Sequence, residues 1–347
     1  MGVCGPFGDN NVSVYPLGKL PAADLARLLT QYAATDPRLI VGGSIGEDAA
    51  VIDMGDRYLV ATTDPITFAT GEIGWYAVNI NANDVACTGA TPRWFLATLL
   101  LPENKSTPAL VDQIFRQISS ACTELGVTLA GGHTEITYGL DRPIVIGQML
   151  GEVSPDKLVT NRGAQVGDDL ILTKGIAVEA TAIIAKEMRS QLLQHFDEDS
   201  LDHYTNFIYN PGISVVKDAA IAVAAGGVHA MHDPTEGGVA TGLHEMAQAS
   251  GVGLEIFEDL LPFLPETVAL CQHFGLEPLG VIASGALLIA AKSDCTSKIV
   301  DGLTQAGIRA SVIGRVQPPE KGRLMVGQVG IRPLPTFARD EITRLFE

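Results

Sequence analysis

Three aspartates in the first quarter of the chain have the residue type and spacing to bind a cation. Residues 49–52 and 58–61 are strand-like runs, and residues 54–56 between them are a turn signal, so this segment predicts a β-hairpin. Folded at this turn, the hairpin would set Asp48 opposite Asp64, about 5 Å apart at Cβ, where like charges are destabilising. A bound cation is the simplest compensation, so the sequence predicts a metal site.

A third carboxylate, Asp84, lies near the end of a helix predicted over residues 74–87. The negative end of the helix dipole disfavours a carboxylate there unless a cation lies nearby. Each aspartate alone could instead cap a turn or face solvent. Three together favour Mg²⁺, a hard cation that takes carboxylates and substrate phosphates. No histidine or cysteine set in the sequence resembles a zinc site.

A pair of glycines, Gly131 and Gly132, follows a strand predicted over residues 127–130. Two glycines at a strand end permit close approach of the backbone to a phosphate, although an ordinary turn is the alternative. The next residue, His133, could hydrogen-bond a phosphate, bind a metal or sit buried.

A second glycine pair follows Asp233 and Glu236, just before a helix predicted over residues 238–249. Thr235 could cap this helix, whose N–H groups would then face an anion. Glu236 could bind a metal or a substrate amine, and capping alone is the alternative.

The chain has 347 residues, which favours two domains. Its net charge of −17 gives no electrostatic basis for binding nucleic acid, although metal ions could neutralise the field around an anionic small molecule. The five cysteines have no CxxC spacing, so we expect reduced thiols in a cytoplasmic protein. No apolar run has the length of a membrane span and no signal peptide is recognisable, so we expect no membrane association.

The elements that must position these residues fall into two successive patterns. Up to about residue 153 the predicted order is β-β-α-β-α-β-β, an α+β layer with its sheet covered on one side. A polar, glycine-containing linker at residues 161–168 then precedes a second α/β pattern. Its predicted strands span 169–173, 228–231, 252–257, 285–291 and 309–316, and its predicted helices span 177–189, 211–225 and 238–249.

Six motifs, in this order, resemble the PurM-like superfamily, in its AIR synthase-related, HypE-like branch. They read GEDAAVID, TTDP, NANDVACTGATP, AGGHTE, NRGAQVGDDLILTKGI and HDPTEGGVATGLHE, and the resemblance spans residues 18–318. Residues 1–18, rich in Gly, Asn and Pro, are predicted to form a flexible arm. The resemblance implies an α/β domain over 19–158 that dimerises through its sheet into a β-barrel. It implies a C-terminal α/β domain over 159–347 that closes over a cleft holding ATP and Mg²⁺.

The resemblance also implies roles for individual residues. The metal positions are Asp48, Asp64 and Asp84. Asp233 and Glu236 line the side of the second substrate. Catalytic candidates are Asp233, Glu236 and His133, although His133 stands where relatives often place Asp or Glu. The expected nucleotide contacts are Lys19, Thr63, Asn83, Gly131, Gly132, His133 and Thr134.

The implied activity is transfer of the ATP γ-phosphoryl group to an oxygen, of the amide type or similar, on a small-molecule substrate, catalysed by a homodimer. This would be a synthetase-like enzyme. The alternatives are a small-molecule kinase similar to thiamine-monophosphate kinase, and an ATP-binding accessory protein without turnover. HypE proteins carry a C-terminal cysteine that receives a carbamoyl group. The last nine residues of this chain contain no cysteine, so we expect a function other than that of HypE itself.

Overall fold

A computed structural model describes residues 15, 20–32, 36–43, 46–67 and 71–346 of the chain. Apart from Tyr15, the predicted arm over residues 1–18 lies outside the described residues, as does Lys19. Within the described part of the chain, no helix is both long enough and apolar enough to cross a membrane.

The first half of the chain contains three helices and six strands in the described residues. They are α1 (Ala22–Tyr32), β1 (Leu39–Val41), β2 (Ala50–Asp53), β3 (Tyr58–Ile66), α2 (Ile73–Cys87), β4 (Thr91–Pro102), α3 (Pro108–Leu125), β5 (Thr128–Thr137) and β6 (Ile144–Val153). The strands form one mixed sheet in the order β1-β2-β3-β6-β4-β5, with β4 and β5 parallel and the other pairs antiparallel.

The predicted hairpin is confirmed, but its predicted register is wrong. Strands β2 and β3 are antiparallel, with Asp53 opposite Tyr58 and Ala50 opposite Ala61. The turn between them has four residues, 54–57, so the same register extended outward sets Asp48 across from Thr63 and not from Asp64. A register error of one residue exchanges the faces of a strand. The two aspartates are therefore not a cross-strand pair.

Helix α2 lies at the centre of the molecule and is buried along its whole length. It packs against β3, β6 and α3 of the first half and against α7 (Val216–Ala225) and β8 (Val228–His232) of the second. One hydrophobic cluster contains Val78 of α2 together with Val178 and Ile213 from the second half. Polar side chains on α2 are thus forced into the interior, where they need partners.

Strand β5 runs through the glycine pair that the sequence had suggested as a strand end. Both glycines have φ near +148°, a backbone conformation that favours glycine. A Cβ on Gly132 would lie 1.9 Å from the carbonyl oxygen of Ala97 in β4. The glycines thus permit close pairing of β5 with β4, and the strand continues past them as the exposed edge of the sheet.

The second half adds seven α-helices and seven strands in the described residues. Besides α7 and β8 they are β7 (Asp169–Thr173), α4 (Val178–Glu187), α5 (Arg189–Leu192), α6 (Glu198–Thr205), α8 (Gly238–Ser250), β9 (Gly253–Phe257), α9 (Pro265–Phe274), β10 (Leu288–Ala291), α10 (Thr296–Gln305), β11 (Ala310–Gln317), β12 (Arg323–Gly327) and β13 (Gly330–Pro333). The sheet order is β13-β12-β9-β11-β7-β10-β8, with only β9 and β12 parallel.

The five strands predicted for this half are all present, whereas α5, α6, α9, α10, β12 and β13 were not predicted. Helix α7 begins at Val216, later than expected, because the backbone of Ile213 and Val215 bonds to Asn83 of α2. Helix α8 begins after Gly237, which has φ near +77°, so the prediction that Thr235 caps this helix is wrong.

The predicted two-part architecture of strands and helices is confirmed as an α+β fold, and both of its sheets are mixed. In the described residues the first sheet is open, with β1 and β5 at its edges, so a single chain does not close a barrel. The domain boundary between residues 158 and 159 stays a prediction.

Candidate functional site

Asp84 is a buried carboxylate in the last turn of α2. Burial raises its pKa well above the usual value, and the carboxylates of Asp233, Asp64 and Asp48 raise this pKa further. A hydrogen bond with Thr62 of β3 offsets part of this effect. The fold therefore gathers the three predicted aspartates and Asp233 into one region of crowded negative charge.

The Thr62 hydroxyl lies between two of these groups. Its oxygen is 2.7 Å from the Asp48 carbonyl oxygen and 2.9 Å from Asp84 Oδ2. The Thr62 hydroxyl has one proton, which it can donate to either oxygen. Its donation to Asp84 favours the ionised carboxylate and lowers the pKa of Asp84, as a cation at the site would also do.

Two asparagines of α2 fix the backbone around the site. Asn81 accepts a hydrogen bond from the Asp64 N–H at 2.9 Å and donates to the Asp64 carbonyl at 3.3 Å. Asn83 donates to the Ile213 carbonyl at 2.9 Å and accepts from the Val215 N–H at 2.8 Å. Because its amide already binds this backbone, contact of Asn83 with a nucleotide stays a prediction.

His232, at the end of β8, is a site residue that the sequence reasoning missed. Its Nδ1 lies 3.3 Å from Asp48 Oδ2, and its Nε2 lies 2.9 Å from Glu245 Oε2 of α8. Burial lowers the pKa of His232, but the contacts with Asp48 and Glu245 outweigh burial and raise the pKa to about 10. His232 is thus a charged bridge between two carboxylates.

Asp233 follows His232 and is almost completely buried. The Cys87 thiol donates to Asp233 Oδ1 at 3.3 Å, whereas the buried Oδ2 makes no hydrogen bond. Burial and Asp48 raise the pKa of Asp233 to about 7, although His232 and Cys87 partly lower it. Asp233 therefore titrates near neutral pH.

The structure groups potential metal ligands differently from the prediction. Among the described residues, the set whose ligand atoms all lie within 4.8 Å of one another is Asp48, His232 and Asp233. Asp64 and Asp84 are outside this compact set. The two groups are nevertheless close, because the charges of Asp48 and Asp233 raise the pKa of Asp84. Asp48 thus adjoins both groups.

Glu236 belongs to a neighbouring acidic group. It is exposed, and its charge raises the pKa of Asp340 and of the buried Glu179 in α4, for both of which burial is the largest cause. Burial and these charges raise the pKa of Glu179 to about 7. Asp340 accepts a hydrogen bond from the Gly237 N–H at 2.7 Å. Glu236 and Asp233 are therefore near in sequence but face different carboxylates.

The residues predicted to contact phosphate, 131–134, lie in the edge strand β5, three strands away from Asp64 in β3. In the strand register Asp64 pairs with Gly147, Gly147 with Ala97, and Ala97 with Gly132. Three strand spacings amount to about 14 Å. Within one chain these residues are thus apart from the aspartates.

The side chains of His133 and Thr63 are also engaged elsewhere. His133 is exposed, with Nε2 3.6 Å from Glu135 Oε2. Thr63 donates to the Gly147 carbonyl at 2.8 Å on the sheet surface. Their predicted contacts with a nucleotide stay predictions.

His232 and Cys87 had weak signals in the sequence, whereas Glu245 had none of this kind. His232 precedes Asp233 directly, and Cys87 follows Asp84 by three residues on one helix. The contact of Glu245 with His232 has no such signal, because it depends on the turn between β8 and α8.

Two family models match the chain. The AIR synthase related protein N-terminal domain matches residues 46–153, and the C-terminal domain of the same family matches residues 165–327. A hydrogenase expression/formation protein of Methanocaldococcus jannaschii is 30% identical over 318 residues, covering 88% of this chain and 91% of that protein. The carbamoyl dehydratase HypE of Rhizobium leguminosarum bv. viciae is 30% identical over 282 residues, covering 78% of this chain and 77% of that protein.

Solved structures show the same fold. The HypE–HypF complex matches with a TM-score of 0.72 at 22% identity, covering 90% of this chain and 98% of that chain. HypE in complex with ATP gives 0.70 at 22% identity, with 94% and 98% covered. ThiL complexed with AMPPCP and TMP gives 0.68 at 21% identity, with 85% and 91% covered. The chain therefore belongs to the AIR synthase related protein family, and its place in the HypE-like part of the PurM-like superfamily is confirmed.

Proposed function

We propose that this protein is an ATP- and Mg²⁺-dependent enzyme that transfers the γ-phosphoryl group of ATP to an amide-type oxygen of a small molecule. The observation that carries the proposal is the buried Asp84, whose pKa is raised by burial and by three neighbouring carboxylates, Asp233, Asp64 and Asp48. Such crowding of like charge is relieved by a cation.

The carboxylate oxygens suit Mg²⁺, which prefers oxygen ligands and is commonly held by one or two carboxylates together with phosphates. Asp48, Asp64 and Asp84 would hold the ion. Bound ATP would supply the phosphoryl group, and the Mg²⁺ ion would neutralise the negative charge of the phosphates. This also explains how a chain with a net charge of −17 would retain an anionic ligand.

The chain's own residues would position the metal-binding aspartates and exchange protons with the substrate. Thr62 and Asn81 hold the Asp84 carboxyl and the Asp64 backbone in place. Asp233, with a pKa of about 7, is suited to take or give a proton near neutral pH. Glu236 and His133 remain the other catalytic candidates.

The named relatives support ATP and an amide-type oxygen. HypE has been solved with ATP, ThiL with AMPPCP and TMP, and the Rhizobium relative is named a carbamoyl dehydratase. Because this chain shares their fold, we propose that it binds ATP at the corresponding site. The HypE–HypF complex likewise supports a protein partner besides the small-molecule substrate.

We also propose that the protein is a homodimer that pairs through β5 and closes a barrel. Leu129, Ile136 and the neighbouring Tyr138 are exposed apolar side chains along this sheet edge. Pairing would cover both these side chains and the unpaired edge. In such a dimer, residues 131–134 of one protomer would contact the nucleotide of its partner.

The second candidate is a small-molecule kinase, favoured by the similarity to ThiL. The two activities differ in product, because a kinase leaves a stable phosphorylated substrate whereas an activating enzyme releases phosphate. Assays with amide, amine and phosphate metabolites, following both products, would separate them. ATP binding without turnover of any substrate would support an accessory protein and contradict the enzyme proposal.

Binding is tested by isothermal titration of Mg·ATP. We expect the Asp48→Asn, Asp64→Asn double variant to bind about tenfold more weakly for each lost carboxylate, or about 1.4 kcal/mol each. The control is Asp112→Asn, an exposed carboxylate on α3 that pairs with Arg116. Wild-type affinity in the double variant would contradict the metal assignment.

A further inference from the structure

Arg323, the first residue of β12, is a half-buried arginine without a carboxylate partner among the described residues. Arg93 and Arg309 also lack such a partner in the described part of the chain, but both are exposed to solvent. Most other arginines have a carboxylate oxygen within 4.0 Å, namely Arg27, Arg38, Arg57, Arg116, Arg162, Arg189, Arg315, Arg332 and Arg344. A charged side chain away from bulk water normally has a counter-charge, so Arg323 points to one from outside the chain.

His244 of α8 orients the Arg323 guanidinium without neutralising it. Arg323 Nη1 donates to His244 Nδ1 at 3.1 Å, and His244 Nε2 donates to the Pro335 carbonyl at 3.1 Å. A histidine that accepts at one ring nitrogen and donates at the other is neutral. Burial lowers the pKa of His244, and the charge of Arg323 lowers it further, which favours the same neutral form.

The remaining donors of Arg323 are available for a ligand. Its Nε and Nη2 atoms donate to no acceptor among the residues that the structure describes. These two N–H groups form the planar fork that binds both oxygens of a carboxylate or phosphate group. Because His244 already holds the guanidinium in place, a ligand loses less free energy in ordering the side chain.

A cavity of about 450 Å³ adjoins Arg323, between the C-terminal end of α8 and the turn before β12. Small-molecule sites commonly have volumes of about 300–1,000 Å³. Among the lining residues Arg323 carries the formal charge, and the exposed Gln248 adds an amide that can donate a further hydrogen bond. The cavity therefore combines a suitable size with a positive charge that no neighbouring carboxylate balances.

The end of α8 does not oppose an anion strongly. A helix C-terminus carries partial negative charge on its last carbonyl groups. Here the N–H groups of Gly251 and Val252 bond back to the carbonyls of Ala247 and Gln248, which reduces the number of bare carbonyls. The positive guanidinium is thus the dominant charge in the cavity.

We propose that Arg323, oriented by His244, binds the carboxylate or phosphate group of a small anionic ligand in this cavity. The site lies at the far end of the 13-residue helix α8, which at 1.5 Å per residue is about 20 Å long. It shares no residue with the proposed Mg·ATP site. The proposal therefore goes beyond phosphoryl transfer and does not depend on it.

The test is modification of the full-length wild type by phenylglyoxal, which attacks accessible guanidinium groups, followed by mass spectrometry of the Arg323 peptide. Inorganic phosphate or malonate is added without nucleotide, against sodium chloride of equal ionic strength. For a dissociation constant of about 1 mM, about 10 mM of the bound anion should slow modification of Arg323 about tenfold. The exposed Arg309 is the internal control, and its rate should change less than about twofold. Protection by phosphate alone or by malonate alone identifies the ligand class.

Variants test the two roles separately by isothermal titration of the protecting anion. Arg323→Gln should weaken binding at least about tenfold, and Arg323→Lys should also weaken it because a lysine has no planar fork. His244→Ala should weaken it less, since the charge remains but is no longer oriented. Arg309→Gln removes the same charge at an exposed position and should bind like the wild type.

Three results would each overturn the proposal: no protection of Arg323 by either anion, equal protection by sodium chloride, or wild-type affinity in a folded Arg323→Gln. Any of them would show Arg323 to be a solvated arginine that only bonds to His244. Mg·ATP binding is measured in a separate titration, so failure of this site leaves the proposed function untouched.

Discussion

Two groups of buried charge differ in how their charge is balanced. Lys174 Nζ is 3.4 Å from Asp218 Oδ2, with both side chains almost fully buried, and it donates to the Ser214 carbonyl. Asp84 and Asp233 are equally buried but lie beside other carboxylates. The first group is a neutral pair. The second group needs protons or a cation.

The difference separates a structural role from a functional one. Burial lowers the pKa of Lys174, and Asp218 partly restores it, so the pair balances itself. It secures the segment whose backbone also bonds to Asn83. The aspartate group does not balance itself, and perturbed titration in such a place indicates a binding or catalytic site.

The strongest test of this comparison breaks the balanced pair. Lys174→Met keeps the length of the side chain and leaves Asp218 buried without its partner. Loss of one member of a buried ion pair costs about 3–5 kcal/mol, so we expect the free energy of unfolding in urea to fall by that amount.

The neighbouring Lys217 provides the matched control because its side chain is exposed and donates only to the Ala306 carbonyl. Lys217→Met should change the unfolding free energy by about 0.5 kcal/mol or less. A similarly small change for Lys174→Met would show that the buried pair is not needed to balance charge.

Most strands around the Lys174 pair and around the aspartates were predicted from the sequence, because runs of β-branched and apolar residues have a clear period. The sequence could not set the register of β2 and β3, which depends on the four-residue turn 54–57. It also missed α6, an eight-residue helix with only Leu201 buried, since one buried residue leaves no apolar stripe.

Asp48, Asp84 and Asp233 were predicted as site residues from recognisable motifs, and the fold brings them together. His232 and Glu245 are the first and last residues of one of the same motifs, but the motif does not indicate that their side chains meet. The contact between His232 and Glu245 spans a turn in which Gly237 and Gly238 both have positive φ, and Gly238 passes close to the Leu279 carbonyl. Sequence spacing alone does not encode that turn.

A pH measurement tests the unbalanced group. The native pKa of Asp233 is about 7, above its ordinary value of 3.8, so between these values the native state holds a proton that the unfolded state lacks. Stability from this group is therefore present at low pH and lost as pH rises towards 7. Between pH 5 and 6.5 the loss is about 2 kcal/mol, at 1.36 kcal/mol per unit. Asp233→Asn should remove this part of the pH dependence of urea unfolding.

Cys87→Ala is the matched variant because it removes a hydrogen bond that lowers the pKa of Asp233. The pH dependence should then persist and extend to higher pH. If Asp233→Asn and the wild type lose stability in parallel over this range, burial does not perturb Asp233 and the contrast with the Lys174 pair weakens.

The smallest expected effect concerns Thr62, whose hydroxyl joins the Asp48 backbone to the Asp84 carboxyl. Thr62→Val keeps the shape of the side chain and leaves the Asp48 carbonyl without this donor, which should cost about 1 kcal/mol in urea unfolding. Thr63→Val on the same strand removes a hydrogen bond to Gly147 and leaves the aspartates untouched. Because only Thr62 contacts Asp84, only its variant should also weaken Mg·ATP binding in the titration. Equal losses of stability with unchanged Mg·ATP affinity in both variants would limit Thr62 to a structural role, and the unbalanced group would then lack a positioning residue on β3.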